Sequence, residues 1–239
     1  MEKTNNLIVV DSKDRVSGNS SNFVWNLPSI HDKDFNSIAI QSIEMINSFL
    51  QINDYNNTII IDEGGGNLTA TLTQRNDYTQ TSLCAEIKTQ LEAVGALTYT
   101  VSTVSNKMTI SATGNFDLVL SGLEICDIIG FNKDNTSYTG LATYTATNFV
   151  SLNSAIDLIY VDIKEVSNIV HTTNFSHTFV IQNNVNNMDY INFTSNAYYQ
   201  MHVSDIKSWK NWTIKLNDRQ NRPITLGTDW NFKVEFKIL

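Results

Sequence analysis

The chain has 239 residues, of which 41% are hydrophobic, 10% aromatic and 17% charged. That balance excludes intrinsic disorder, which needs low hydrophobicity and high net charge, and the length suffices for a full core without covalent or metal staples. A net charge of −8, from 16 basic and 24 acidic residues, argues against wrapping of nucleic acid, which is driven by counterion release to clustered Lys and Arg.

Asn and Thr are abundant, and both are poor formers of helix interiors, so the chain leans towards sheet. Alternation with period two predicts strands at Leu7–Val10, Phe23–Leu27, Ser37–Ile46, Thr58–Asp62 and Leu68–Thr73. Leu83, Ile87, Leu91 and Val94 then fall on one face of a helix, with Thr81 expected to cap its start and Gly95 to end it in the left-handed conformation. Strands at Leu97–Val104 and Lys107–Ala112 read as a hairpin closed by Ser105-Asn106, followed by a strand at Phe116–Leu120 and a short helical turn over Leu123–Ile129. Between Asn132 and Ser154 the composition shifts to Thr, Asn, Ser and Gly, which marks a long surface connection or a boundary. Strands resume at Ala155–Lys164, His177–Gln182, Tyr190–Thr194, Tyr198–Val203, Trp212–Asn217 and Asn231–Ile238. About a dozen short strands and at most two helices predict an all-β sandwich or barrel and exclude a doubly wound nucleotide-binding fold. Residues 64–131 read as a compact α+β insertion carried on one domain spanning 1–239.

A search for chemistry assigns no catalytic residue, no cofactor-binding residue and no metal ligand. Gly64-Gly65-Gly66 lacks the Lys-Ser/Thr of a phosphate loop and reads as a turn. His31, His171, His177 and His202 show no paired spacing, and Cys84 and Cys126 lie in apolar settings that suit small buried hydrophobes. Asp157 and Asp162, five apart along a strand, point to opposite faces, and Asp62-Glu63 is an acidic turn that could hold a cation as any such turn could. For a hydrolase, His177, His202 and Asp205 are the least unfavourable group. Trp209, Trp212 and Trp230 suit either a sandwich core or a stacking platform for a carbohydrate or receptor. No apolar run is long enough for a membrane span, and the start Met1-Glu2-Lys3-Thr4-Asn5-Asn6 has no basic segment followed by an apolar one, so neither membrane insertion nor a signal peptide is expected. Residues 201–239 carry seven basic against four acidic residues, +3, while the rest carries −11. Such a contrast suits packing of one copy on another, although two solvated surfaces of different sign are the plainer reading.

The order of several short motifs resembles a known family. Ser12-Lys13-Asp14-Arg15 and the run from Ser37 through Glu44-Met45-Ile46-Asn47-Ser48-Phe49 are similar to the opening of penton (vertex) and minor capsid proteins of double-stranded DNA viruses: virophages, polinton-like viruses and nucleocytoplasmic large DNA viruses. Asn76-Asp77-Tyr78-Thr79 before the helix, the hairpin, and Cys126-Asp127-Ile128-Ile129-Gly130-Phe131 resemble that family's turn, hairpin and closing Leu-Gly-Phe element, with Asn76 in a position often glycine and Ile129 in place of leucine. Trp212 to Ile224, then Trp230 to Phe236, resemble its last two strands around an Asp-x-x-Gly/Asn-x-Pro turn. The resemblance implies a single jelly-roll β-sandwich, a homopentamer at the icosahedral fivefold vertices, contact with the major capsid protein and with minor capsid proteins as further candidates, a location in the virion, no enzymatic activity and no cofactor. A minor capsid or cement protein beneath or between facets, or a jelly-roll carbohydrate- or receptor-binding module, are the alternative readings.

Overall fold

The computed structural model of the chain describes residues 6–27, 37–133, 138–152, 156–167, 179–186, 188–194, 200–202 and 210–237. The chain opens with β1 (Asn6–Asp11), β2 (Ser17–Asn19), β3 (Asn22–Asn26) and β4 (Ser37–Ile46). It continues with β5 (Thr58–Asp62), β6 (Asn67–Thr71), α1 (Gln80–Val94), β7 (Tyr99–Val104), β8 (Lys107–Val119), α2 (Ile125–Ile129) and β9 (Leu141–Thr145). The last third holds β10 (Leu158–Ile163), α3 (Lys164–Ser167), β11 (Phe179–Gln182), β12 (Tyr190–Thr194), β13 (Gln200–His202), β14 (Asn211–Asn217) and β15 (Asn231–Lys237). These elements divide into two units, Met1–Phe49 with Ile156–Leu239, and Leu50–Ala155.

The first unit is a jelly-roll sandwich. One sheet runs β1-β15-β4-β12, with β13 also on β4, and the other runs β11-β10-β14-β3-β2, every pairing antiparallel. Alternation along each strand decides which residues become core: β3 buries Phe23 and Trp25 and leaves Asn22 and Asn26 exposed. In register, Val10, Phe232 and Ile43 form one buried row across the first sheet, and Trp25 lies opposite Trp212 in the second. Phe23 meets Trp230 edge to face at 6.1 Å, and Trp230 stacks on Phe232 at 5.3 Å, so aromatic rings bridge the two inner faces.

The second unit has its own core. Its sheet runs β6-β5-β8-β7 with β9 on β8, and α1 packs on β6 and β7 with Leu83, Ile87 and Leu91 buried, the face the sequence pattern predicts. Five rings, Tyr99, Phe116, Tyr144, Tyr138 and Phe131, follow one another edge to face with centroids 5.0–5.8 Å apart. The unit takes in β5 and β9, which lie outside residues 64–131.

Four local expectations change. The helix is capped by Thr79 and not Thr81: Thr79 Oγ1 accepts from the Ser82 amide, and Ser82 Oγ accepts from the Thr79 amide. Gly95 ends it in extended backbone and not in the left-handed region. The two strands expected at Lys107–Ala112 and Phe116–Leu120 are one strand, β8, whose pairing with β9 shifts register between Ser111 and Phe116. The Thr- and Asn-rich segment 132–154 contains β9, because Tyr144 reaches the core while Thr143 and Thr145 face outward and bond the hydroxyls of Ser111 and Thr109.

Candidate functional site

The motifs that carry the resemblance turn out to hold turns in place. Ser12 is fully buried; its amide donates to the Trp230 carbonyl, its hydroxyl donates to Asp229 Oδ1 and accepts from the Trp230 amide, both at 2.9 Å. Arg15 Nη1 reaches the same carboxylate oxygen and the Ser12 carbonyl, each at 2.7 Å. The turn after β1 is thereby locked to the start of β15. Asp218 is likewise buried: it accepts from the Gln220 and Arg222 amides and pairs with the Arg222 guanidinium, while Asn221 takes the left-handed conformation that the turn before Pro223 requires.

In the second unit, the backbone amide of buried Tyr78 donates to Gln51 Oε1 and its hydroxyl donates to the Thr73 carbonyl, fixing the chain just before the Thr79 cap. At the end of α2, Gly130 has φ +81°, and its amide bonds the Cys126 carbonyl. A Cβ there would lie 2.4 Å from the Asn148 carbonyl oxygen, so the closing Ile-Gly-Phe element needs glycine twice over.

The acidic turn resolves in the same way. Asp62 Oδ1 accepts from the Gly64 and Gly66 amides, and Glu63 accepts from Ala96 N at 2.8 Å, Leu97 N at 3.2 Å and the Tyr99 hydroxyl at 2.8 Å. Burial pushes the Glu63 carboxyl up, and the bonds from Ala96, Tyr99 and Leu97 outweigh it, leaving it below its ordinary value. Burial and the Glu63 bond together push the Tyr99 hydroxyl well above the ordinary tyrosine range. Both carboxylates thus serve the backbone. Among the described residues no group of three or more His, Cys, Asp or Glu side chains is placed to hold a metal ion.

The remaining sequence candidates are not brought together. Cys84 and Cys126 are buried thiols, and burial pushes Cys84 upward. Trp212 and Trp230 are core residues with Trp25, which removes them as a stacking platform; Trp209 lies outside the described residues. His31, His171, His177 and Asp205 also lie outside them; His202 is described only as the last residue of β13, opposite Ser37. Of the basic residues near the end, Arg219 pairs with Asp157, Arg222 with Asp218, and Lys233 with Glu44 at 3.9 Å, so part of the positive excess is neutralised within the molecule.

The surface the sequence reading passed over is apolar. Among the described residues of the sandwich, the large hydrophobics that stay exposed are Leu7, Val9, Val16, Val180, Met188 and Tyr190, between 41% and 66% accessible. A signal for the first two was present: β1 reads Leu-Ile-Val-Val, apolar on both faces, where a half-buried strand would alternate. Met188 has φ +64°, and the connection that carries it is fastened by Asn47, whose amide donates to the Val185 and Asn186 carbonyls at 3.0 Å and whose backbone bonds Met188 and Asp189.

Against known proteins, this architecture finds a counterpart. A crystal structure of the mavirus penton protein superposes with a TM-score of 0.54 at 12% identity, covering 100% of both chains. The chain has the fold of that protein. A chain from the cryo-EM structure of the Sputnik virophage gives a TM-score of 0.49 at 12% identity, over 98% of this chain and 97% of that one. No family model matches the sequence, and no curated protein matches it.

Proposed function

We propose that the chain is a structural protein of a virion shell, and within it the penton: a homopentamer at the icosahedral fivefold vertices that contacts capsomers of the major capsid protein. The observation that carries this reading is the end-to-end likeness to the mavirus penton protein. The polar constellations support it as well, since Asp218, Glu63 and Glu165 have both oxygens, and Asp229 has Oδ1, committed to turns and strand ends, Glu165 to the Thr213 amide and hydroxyl. A shell subunit works by association: apolar area buried between subunits opposes the entropic cost of docking, and one heterologous contact repeated five times closes a ring. No described helix is long and apolar enough to cross a membrane.

The test is the assembly itself. Purified chain is expected to sediment as a five-subunit species, and imaging of particles that contain it is expected to place it on a fivefold axis. A position beneath or between facets makes it a minor capsid protein instead, and absence from the shell overturns the reading.

A further inference from the structure

Where β7, β8 and β9 run side by side, the second unit presents an outer face of unusual chemistry. Tyr99, Met108, Ile110 and Tyr144 point into the core, so alternation sends Thr100 and Ser102, Thr109 and Ser111, and Thr143 and Thr145 to the other side. Register aligns these in two rows across the three strands, Thr100–Ser111–Thr143 and Ser102–Thr109–Thr145. Thr143 Oγ1 donates to Ser111 Oγ, and the hydroxyls of Thr109 and Thr145 share a bond, each at 3.1 Å. A hydroxyl has one donor and two acceptor sites, so every member keeps capacity for a further partner. Towards the hairpin turn, Val104 follows Ser102 in the same alternation and is 64% exposed. Phe149, equally exposed, marks the same end: its ring centroid lies 6.0 Å from Nζ of Lys107, the residue opposite Val104. Its chain is pinned on either side, the Val150 amide donating to the Asn106 carbonyl and the Asn148 amide to the Gly130 carbonyl.

These strands are almost free of charge. Residues 96–116 contain one charged side chain, Lys107, and residues 138–152 contain none, in a chain of which 17% is charged. We propose that this face binds a neutral oligosaccharide, with Phe149 and Val104 against the C–H face of one sugar ring and the hydroxyl rows bonding the rings that follow. Charge selects the occupant first: an anionic ligand would meet a single cation, and a charged protein surface would meet no complement. Hydrogen-bonding chemistry selects it next. Sugar hydroxyls donate and accept at once, as Ser and Thr hydroxyls do, and neither side has to surrender the hydration of an ion. Area separates a sugar from a protein. Three strands about 4.8 Å apart and about seven residues long offer on the order of 300 Å², well short of the ~800 Å² per partner of a stable protein interface but ample for a short oligosaccharide. Ser is also depleted at protein interfaces, where Arg and large aromatic anchors gather. The inference concerns the second unit alone and does not depend on the shell reading.

So flat and small a face binds weakly, with a Kd of about 0.1–1 mM, which saturation-transfer NMR reads on the ligand. The full chain is titrated with neutral oligosaccharides built from glucose, mannose, galactose or N-acetylglucosamine, and with sialylated and sulfated ones. At least one neutral member is expected to bind. Phe149→Ala and Thr143→Glu alter exposed side chains, so circular dichroism is expected to match the wild type while each weakens binding roughly ten-fold or more. Tyr190→Ala, which removes an exposed ring from the sandwich, is expected to bind as the wild type does. No neutral member bound up to ~10 mM, binding confined to the acidic members, or binding unchanged in both face variants overturns the assignment. None of these results touches assembly, which sedimentation and imaging read separately.

Discussion

At the residue scale, single polar groups fix backbone that the strands alone would leave loose. Glu63 is the clearest case, because one carboxylate serves two amides and a buried phenol. Its folded value lies below the ordinary 4.5, so its contribution to stability is fully present above that value and is lost as the pH falls through the lower, folded one. Glu63→Gln is therefore expected to cost about 1–2 kcal/mol at neutral pH, with the gap to wild type closing in acid; melting curves at pH 7 and below pH 4 check it. Glycines give a second prediction. Gly130→Ala meets a left-handed φ and the Asn148 carbonyl, which is backbone, whereas the Cβ of Gly95→Ala meets the Glu63 carboxylate at 2.2 Å in ordinary extended geometry. The first is expected to cost about 3 kcal/mol and the second nearer 1, an order that denaturant midpoints read directly. The reason for Gly95 could not be read from its neighbours in sequence, since the group that excludes a side chain there comes from 32 residues upstream.

At the element scale, the sequence pattern placed the α1 core face and the Ser105-Asn106 hairpin, whose two residues take φ of 51° and 61° as a two-residue connection requires. These were legible because periodicity and turn chemistry are local. The cap was misread because Thr79, Thr81 and Ser82 can all serve, and only the fold brings Tyr78 under Gln51 and so fixes where the helix begins. Thr79→Ala is expected to lower stability by about 1 kcal/mol, with Thr81→Ala near neutral, as thermal melts would show. Strand β9 was hidden because its outward residues are threonines paired to hydroxyls of β8, which remove the apolar signal from every other position. The motifs from Ser12 to Arg15 and from Asp218 to Pro223 were visible as strings, but their task, fastening strands about 200 residues apart in one case and closing a single turn in the other, was not.

At the scale of the whole molecule, the chain divides into two units with separate cores, one of them the jelly-roll sandwich whose likeness to the mavirus penton protein carries the proposed function. Assembly has a thermodynamic signature: anything that binds only the folded subunit raises its melting temperature with concentration. The wild-type melt is expected to rise by several degrees between roughly 1 and 100 μM; a melt independent of concentration counts against self-association. Which strands become neighbours was the least legible property, because pairing β15 between β1 and β4 joins residues more than 180 positions apart, and no local pattern encodes it.

That central position of β15 bears on synthesis. While the ribosome is still adding residues, β1 and β4 each present an open ladder with no strand between them, and the slot can be filled only when residues 231–237 emerge. Joining β1 to β4 waits for a strand more than 180 positions downstream of β4, although β4 can already pair with β12 and β13, and that step is a slow, non-local closure of the kind that high contact order imposes. A chain cut before residue 231 would thus leave the β1 ladder and one side of β4 unpaired, two exposed templates for adventitious strand addition by other chains.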